Sequence, residues 1–569
     1  MPRGSSRTAK KPVSGKEEGR HAMQASTVNL NAVIPLEAFR TVNAGLSRPE
    51  MELAISQAQT LFDELYVHLL LKQSMHAVDP VQRLKTMMLR LGSIGNENEF
   101  HRQMIATFVS VQDLHTNYLL PEPYRSAVAF LPFMVEEYYD AAGFPHYPVT
   151  RVMPQAIQRP FEPGVEITHW NGMPVVNAIA LNAADHAGSN AAARHLQGLL
   201  TMTTRPLLQS LSPREDWVTL TFNHRSGVGE IRFPWMVFRP RPTPAAVPAD
   251  DADAAGSSTL GVDVGLEKAH RARQLLFVPE SANRETLAGA APVDGRQISD
   301  VPTQNPTTFP NEIEFGIKRT SSGIFGFLRL RSFDIQDVQA YVTEIMRILG
   351  RLPGNGLILD VRSNPGGNIL AGEHLLQLFT DKAIEPEPVQ IRNTVGTGVL
   401  SRAELLSQWN RSIMLSVETG DMYSQPFPVS SRETTNAIGR KYFGPVALII
   451  DAACYSTTDF FSAGFQDHQI GPVLGYDQTT GAGGANVWTH ELFRQLWPDR
   501  KHQAFLPLPK GMSMRAAFRR SIRVGANAGI PVEDLGVSAN FHHRRTQRDI
   551  LENDADLYDE AGRILTTLA

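Results

Sequence analysis

Residues 445–467 read PVALIIDAACYSTTDFFSAGFQD, and this stretch decides the fold expected for the chain. The run VALII at 446–450 is short and wholly apolar, which predicts a strand buried on both faces. From Thr457 onward, apolar side chains recur at a spacing that suits a helix packed on a sheet. Ser456 stands at the junction of the two, beside N–H groups that can stabilise an oxyanion. Two interpretations follow: Ser456 is a nucleophile, or it only N-caps the helix.

The segments around this stretch repeat the alternation of strand and helix. Short apolar runs predict further strands, and the run at 356–361 ends in the turn RSNPGG. Asp334 is the expected N-cap of a helix that ends at Gly350, because apolar residues between them follow a 3.6-residue period. This alternation predicts an α/β core. Its expected strands are 326–330, 356–361, 446–450 and 473–476, and a helix is expected over 369–379.

The rest of the chain divides by composition. Residues 36–111 show helical periodicity, and short apolar runs follow from about residue 127. The segment GVEITHWNGMPV at 164–175 resembles the strand and Asn-Gly turn of a PDZ domain, although a helical insertion over 182–212 is longer than a simple PDZ domain carries. The expected parts are a disordered tail (1–27), a helical N-terminal region that contributes the base (28–125), a PDZ-like domain (126–238), a Pro/Ala/acidic linker or regulatory segment (239–311) and the α/β core (312–569).

Composition excludes several classes of partner. The net charge of −4 over 569 residues gives no reason to expect nucleic acid or an anionic membrane. The basic run Arg515–Arg523 is interpreted as a solvated strand or helix face. Cys454 is the sole cysteine, so no intramolecular disulfide can form, and it is expected to be a small buried residue. The N-terminus lacks an apolar signal segment, which predicts a cytoplasmic protein, or one secreted without a cleaved signal peptide.

Three segments together carry a family resemblance. GLILDVRSNPGG, PVALIIDAACYSTTDFFSAGFQD and VLGYDQTTGAGG, in this order, resemble the C-terminal (tail-specific) processing serine peptidases. The resemblance implies a mixed α/β core related in layout to crotonase and Clp-type sheets. It also implies that Ser456 is the nucleophile, that Asp459 is the acidic residue following it, and that Gly366, Gly367 and the Thr457 N–H form the oxyanion hole.

One departure from the family concerns the base. Most tail-specific peptidases use a lysine after the fourth strand, but the matching segment here, TTGAGG at 479–484, contains none. VQDLHTNY, TTGAGG and VEDLGV are instead similar to the branch typified by chlamydial protease-like activity factor, which uses a Ser–His–Glu triad. That resemblance assigns His115 as base and Glu533 as the acid that orients it, with the adjacent Asp534 as the alternative. Asp113 and His169 are interpreted as ordinary polar residues.

The expected function is that of a serine endopeptidase that acts on protein or peptide substrates without a metal or cofactor. The resemblance also implies a homodimer, and the 239–311 segment suggests self-processing of a zymogen. The alternative is a catalytically inactive relative that binds peptides or ligands. A metal-dependent hydrolase using His115 and His542-His543 is a third hypothesis, which no HExxH or CxxC spacing supports.

Overall fold

The computed structural model describes residues 33–239, 263–277, 307–499 and 501–568. The expected tail at 1–27 and most of the expected linker at 239–311 lie outside these ranges. Within the described ranges, no helix is both long and apolar enough to cross a membrane.

Helices dominate the chain between residues 36 and 109. Two of these helices begin at local caps beside a proline. The Ser47 N–H donates to the Glu50 carboxylate at 2.7 Å around Pro49, and Asp79 accepts a hydrogen bond from the Gln82 N–H (2.9 Å) beside Pro80. The elements are strand β1 (Ile34–Pro35) and helices α1 (Leu36–Phe39), α2 (Arg48–Thr60), α3 (Leu69–His76), α4 (Pro80–Arg90) and α5 (Glu97–Val109), with a π-helical turn at Leu61–Leu65 and a 3₁₀ turn at Leu91–Ser93.

Short strands follow α5. The expected Asn-Gly hairpin is present, with φ of 50° at Asn171 and 77° at Gly172, the left-handed pair that such two-residue turns require. The elements are β2 (Asn117–Leu119), β3 (Val128–Phe130), β4 (Phe133–Val135), β5 (Tyr138–Tyr139), β6 (Pro145–His146), β7 (Val149–Val152), a 3₁₀ turn (Pro154–Ala156), β8 (Glu166–Trp170), β9 (Met173–Pro174), α6 (Val175–Ala183), α7 (Ala191–Thr201), β10 (Thr204–Pro206), β11 (Trp217–His224), β12 (Gly227–Pro234) and β13 (Met236–Phe238). The sheet orders are β1-β13-β3-β10 and β12-β11-β8-β9.

A helix that the sequence analysis did not predict lies inside the expected linker. This helix, α8 (Val264–Phe277), buries Leu266, Ala272 and Leu276. The Asp263 N–H just before it donates to the carbonyl oxygen of Pro365 at 3.3 Å. This part of the expected linker is therefore packed against the body of the protein. This helix was not predicted because its apolar period is short and the residues around it are rich in proline, alanine and acidic side chains.

A six-stranded sheet forms the core, in the order β14-β15-β16-β19-β20-β23, and it is parallel from β15 onward. In the strand Val446–Ile450, Leu448 and Ile450 pack with the helices on one face of the sheet. Ala447 and Ile449 pack with the C-terminal helix on the other face, so this strand is buried on both faces as predicted. The elements are β14 (Ile313–Thr320), β15 (Gly323–Leu330), α9 (Val338–Leu349), β16 (Leu357–Asp360), α10 (Ile369–Leu376), a 3₁₀ turn (Gln377–Phe379), β19 (Val446–Ile450), α14 (Thr457–Asp467), β20 (Val473–Gly475), β23 (Phe541–His542), α16 (Gln547–Leu551) and α17 (Ala555–Leu568).

The start of α9 corrects one prediction. The expected cap, Asp334, lies outside the helix, and Asp337 accepts the capping hydrogen bond from the Ala340 N–H at 2.9 Å. Asp334 and Ile335 precede the first turn, where the apolar period continues although the backbone is not yet helical.

A second sheet joins the N-terminal region to the core. Its central strand β22 (Ser513–Ser521) pairs with β2, β17 and β21, so residue 117 and the residues just before it are held against the core. The remaining elements are β17 (Pro388–Ile391), α11 (Val395–Leu400), a 3₁₀ turn (Glu404–Leu406), α12 (Ser407–Thr419), β18 (Phe427–Pro428), α13 (Arg432–Thr435), β21 (Ala485–Thr489), α15 (His490–Leu496), and 3₁₀ turns at Pro509–Gly511 and Gly525–Asn527.

The basic run at 515–523 is largely buried, and the expectation of a solvated face is wrong. Arg515 donates to Asn117 Oδ1 at 2.7 Å, and Arg519 lies over the rings of Trp409 and Trp488 at 5.3 and 5.5 Å. Arg523 forms an ion pair with Asp467 at 2.5 Å. Amide, aromatic and carboxylate partners far away in the sequence make this burial tolerable.

Candidate active site

Ser456 occupies the turn between β19 and α14. Its backbone is left-handed in φ (60°, with ψ −120°), a strained conformation for a residue with a side chain. Although Ser456 stands at the N-cap position, its side chain makes no capping hydrogen bond, so the interpretation as a helix cap is wrong. The Ser456 hydroxyl is therefore not used to cap the helix.

The turn after β16 presses directly against Ser456. A side-chain Cβ at Gly366 would lie 2.7 Å from Cβ of Ser456 and 3.0 Å from the Thr457 nitrogen, so only glycine fits. Thr457 Oγ1 donates to the Gly367 carbonyl at 2.7 Å, which ties the two turns together.

The expected oxyanion donors differ in availability. The Gly366 N–H donates to Asn364 Oδ1 at 3.0 Å, so Gly366 provides close approach while its N–H is engaged. In the described part of the chain, the N–H groups of Gly367 and Thr457 donate to no acceptor. These two donors are the ones that a developing oxyanion can use.

The segment 479–484, which lacks the family's lysine, encloses the Tyr455 ring. A Cβ at Gly483 would lie 2.5 Å from this ring, and the Gly481 N–H donates to the Cys454 carbonyl at 2.8 Å. Asp459 holds the segment by accepting from the N–H groups of Ala482 (3.2 Å) and Gly483 (2.8 Å). Burial raises the pKa of Asp459 to about 7, although these hydrogen bonds oppose the shift.

His115 packs against the ring of Tyr455. The two rings have centroids 4.5 Å apart, and His115 is fully buried. The His115 backbone N–H donates to Asp113 Oδ1 at 2.7 Å, and Thr116 Oγ1 donates to Asp113 Oδ2 at 3.0 Å, so a tight local turn fixes the segment. The fold thus brings the imidazole against the residue that precedes Ser456.

Glu533 belongs to a buried charged group beside the glycine segment. Its backbone nitrogen lies 2.4 Å from where a Cβ at Gly484 would stand, and its Oε1 lies 2.8 Å from Nζ of Lys72, which also contacts Asp534. Burial raises the pKa of Glu533, and the Lys72 ammonium counteracts part of that rise. For Lys72, burial alone would lower the pKa, but the surrounding carboxylates outweigh it and hold the group charged.

Ligand atoms of His68, Asp113 and Glu533 all lie within 4.8 Å of one another, a spacing that could hold a metal ion. Both ring nitrogens of His68 lack a hydrogen-bond partner in the described part of the chain, and burial lowers its pKa to about 3, so the ring is neutral at pH 7. The Lys72 ammonium already supplies the positive charge that this cluster needs. We therefore interpret the group as an ion-pair network.

His68 and Lys72 were not predicted from the sequence. The interpretation of Asp113 as an ordinary polar residue is wrong, because Asp113 is fully buried within this network. A lysine inside LLLKQSMH, where apolar residues mark the buried face of α3, was the available signal. His169, by contrast, is half-buried on β8, and its Nδ1 lies 3.1 Å from Oγ1 of the neighbouring Thr168.

Residues 324–497 match the family model described as Peptidase family S41. This range includes Gly366, Gly367 and Ser456, the residues whose turns meet in the structure. Over these residues the chain is similar to Peptidase family S41, and this match supports a serine-type peptidase, a hydrolase.

Relatives are similar over most of the chain. A protein of Chlamydia trachomatis serovar D is 24% identical over 566 residues, covering 85% of this chain and 88% of that protein. The crystal structure of mature CPAF shares 18% identity at a TM-score of 0.61, covering 91% of this chain and 97% of that chain. The structure of mature CPAF complexed with lactacystin gives 18% identity and a TM-score of 0.60, over 91% and 98%. The expected mixed α/β fold and the resemblance to the chlamydial branch are confirmed.

Proposed function

We propose that the chain is a serine endopeptidase in which Ser456 is the nucleophile, His115 the general base and Glu533 the residue that orients it. The observation that carries this proposal is the packing of His115 on Tyr455, the residue before Ser456, at 4.5 Å between rings. The buried cluster that contains Glu533 adjoins the same glycine segment. No metal or cofactor takes part in the proposed reaction.

The reaction begins when the imidazole of His115 takes the Ser456 proton as Oγ attacks the scissile carbonyl carbon. The N–H groups of Gly367 and Thr457 stabilise the oxyanion of the tetrahedral intermediate. The imidazolium then gives its proton to the leaving amine, and the acyl-enzyme remains. A water molecule, deprotonated by the same imidazole, hydrolyses the ester, and the proton returns to Ser456.

A carboxylate must orient the imidazole, and Glu533 has two rivals for this role. They are Asp113, which accepts from the His115 backbone N–H, and Asp534, which shares Lys72. In serine peptidases, replacing this acid by its amide costs about 10⁴-fold in kcat. We expect that loss from Glu533→Gln, and a smaller loss from Asp113→Asn or Asp534→Asn, in peptide-cleavage kinetics. If Asp113→Asn or Asp534→Asn caused the larger loss of kcat, that aspartate would be assigned the orienting role in place of Glu533.

The nucleophile is tested by covalent labelling. The purified protein is treated with a fluorophosphonate, and the adduct is located by mass spectrometry. We expect an adduct on Ser456 that is lost in Ser456→Ala and His115→Ala but retained in Ser462→Ala, a matched control for a buried serine on the same helix. Lactacystin, which occurs in a CPAF complex, is a second probe.

An adduct on a different serine, or undiminished peptide cleavage by Ser456→Ala, would contradict the proposal. The second candidate function is an inactive peptidase-like protein that binds peptides, which the absence of lysine from 479–484 favours. Peptide binding without any adduct or turnover, from folded protein, would select that candidate.

We further propose that the 239–311 segment restrains the enzyme and is cut by it. The support is that the N–H of Asp263, which leads into α8, donates to Pro365 in the turn that carries Gly366 and Gly367. Residues 126–238 remain proposed as a PDZ-like domain and the protein as a homodimer, with protein or peptide as substrate.

A further inference from the structure

A basic cavity of about 660 Å³ lies between α5 and the chain around α6, α7 and β10, and no residue of the Ser456 turn is among its described lining residues. Its size falls in the range of small-molecule sites. Among the described residues that line it, Asp185 is the only carboxylate, in a chain whose net charge is −4. Five arginines line it: Arg83, Arg102, Arg194, Arg205 and Arg214.

Three of these arginines have no carboxylate at ion-pair distance in the described part of the chain. Arg214 is paired with Asp185 at 2.9 Å, and Arg102 with Glu99 at 3.3 Å. The others bind neutral groups: Arg83 donates to the Ala106 carbonyl, Arg194 to Gln112 Oε1 at 2.6 Å, and Arg205 to Asn182 Oδ1. Arginines therefore outnumber carboxylates along the described lining of the cavity, and its wall carries an excess of positive charge.

Arg205 is the buried member of the group. The residue is only 9% exposed, and its Nε lacks a hydrogen-bond partner in the described ranges. Burying a guanidinium without a counter-ion costs free energy unless a ligand supplies the opposite charge. Arg205 also lines the cavity, so a largely buried cation with no ion-paired carboxylate in the described ranges forms part of its wall and favours an anionic ligand there.

We infer that this cavity binds a small phosphate-bearing polyanion. Guanidinium groups match phosphate geometry through paired N–H donors, and several of them around one cavity suit a ligand with more than one phosphate. The apolar part of the wall, which includes Ala180, Ala183 and Ala184, leaves room for such a ligand. This site is independent of the proposed peptidase reaction.

The cavity also adjoins the segment of the proposed base. Gln112 accepts from Arg194 through its side chain and from Lys72 through its carbonyl oxygen at 3.4 Å, and Asp113 follows it directly. Gln112 has a φ of 52°, so its backbone is fixed in an uncommon conformation.

The test measures binding of inorganic tripolyphosphate to the full chain by isothermal titration calorimetry, at two salt concentrations. We expect saturable binding that weakens about tenfold or more in Arg194→Gln and in Arg83→Gln, because each removes a charged donor. Arg83 is exposed, so its replacement leaves the fold intact even if Arg194→Gln disturbs Gln112. Arg351→Gln, which removes an exposed arginine outside the cavity lining, is the matched control.

Unchanged binding in Arg351→Gln together with the losses above supports the site. Equal weakening in all three variants would reduce the effect to general charge attraction and overturn the inference, as would no binding to the full chain. Citrate distinguishes the ligand chemistry: citrate binding as tight as that of tripolyphosphate would overturn the assignment to phosphate.

Discussion

Lys72 stands among three buried carboxylates and contacts two of them, Glu533 at 2.8 Å and also Asp534. A cation at this position offsets the cost of burying Glu533 as an ion, which the proposed reaction requires when the imidazolium forms. Lys72 therefore supplies the positive charge of this buried cluster, although it is not a member of the proposed triad. Its ammonium holds the Glu533 carboxyl group in place and opposes the rise in pKa that burial causes.

Replacing Lys72 by Met should therefore destabilise the folded protein and abolish the reactivity of Ser456. Removing one partner of a buried ion pair costs about 3–5 kcal/mol, because the remaining charges lose their counter-ion. We expect a loss of this size in the free energy of unfolding by urea, together with loss of fluorophosphonate labelling at Ser456.

Two further variants serve as controls for the stability measurement on Lys72→Met. Lys85→Met removes an exposed lysine on α4 and should change stability by no more than about 0.5 kcal/mol. Adding Asp534→Asn to Lys72→Met removes one stranded carboxylate and should recover part of the loss. Normal stability of Lys72→Met would refute the role of the ammonium.

At the scale of elements, the site depends on three turns that approach one another closely, with glycines at the contacts of two of them. The turns at 364–367, 454–457 and 481–484 approach so closely that a single added carbon collides with backbone or ring atoms. The Tyr455 ring contacts both the glycine segment and His115. The position of the imidazole therefore depends on this ring.

Gly483→Ala tests that packing. Its Cβ would stand 2.5 Å from the Tyr455 ring, so the ring and the adjacent His115 must move. A displacement of about 1 Å can cost about 10²-fold in rate, and we expect a fall of this order in kcat/KM for peptide cleavage. Gly354→Ala, where a Cβ meets no atom within 4 Å, should leave the rate unchanged. Equal activity of the two variants would show that the ring does not position the base.

These elements also show what the sequence could predict. The β19–turn–α14 unit was predictable because its strand, turn and helix signals are local. The burial of Arg519 was not, since its partners Trp409 and Trp488 are distant in the chain, and charge alone indicated solvent. Lys72 escaped for the same reason, as its partner Asp534 lies 462 residues away. The family resemblance supplied His115 and Glu533, which no local pattern indicates.

On the scale of the whole molecule, α8 connects the 239–311 segment to the site through Asp263 and Pro365. If the enzyme cuts this segment, the restraint on the turn at 364–367 is released. During prolonged incubation, we expect wild-type protein to be cleaved between residues 239 and 311, whereas Ser456→Ala stays intact. Electrophoresis and mass spectrometry follow both proteins over the same time course. Wild-type protein that cleaves peptides while its own chain remains whole would rule out a required self-cleavage.

The pairing of β2 with β22 has a consequence for biosynthesis. It joins Asn117 to Arg515, so the segment that carries His115 finds its place only after most of the chain has left the ribosome. Glu533 emerges later still. A partly synthesised chain can therefore hold neither the proposed base nor its acid in position, and the proposed activity requires a nearly complete chain.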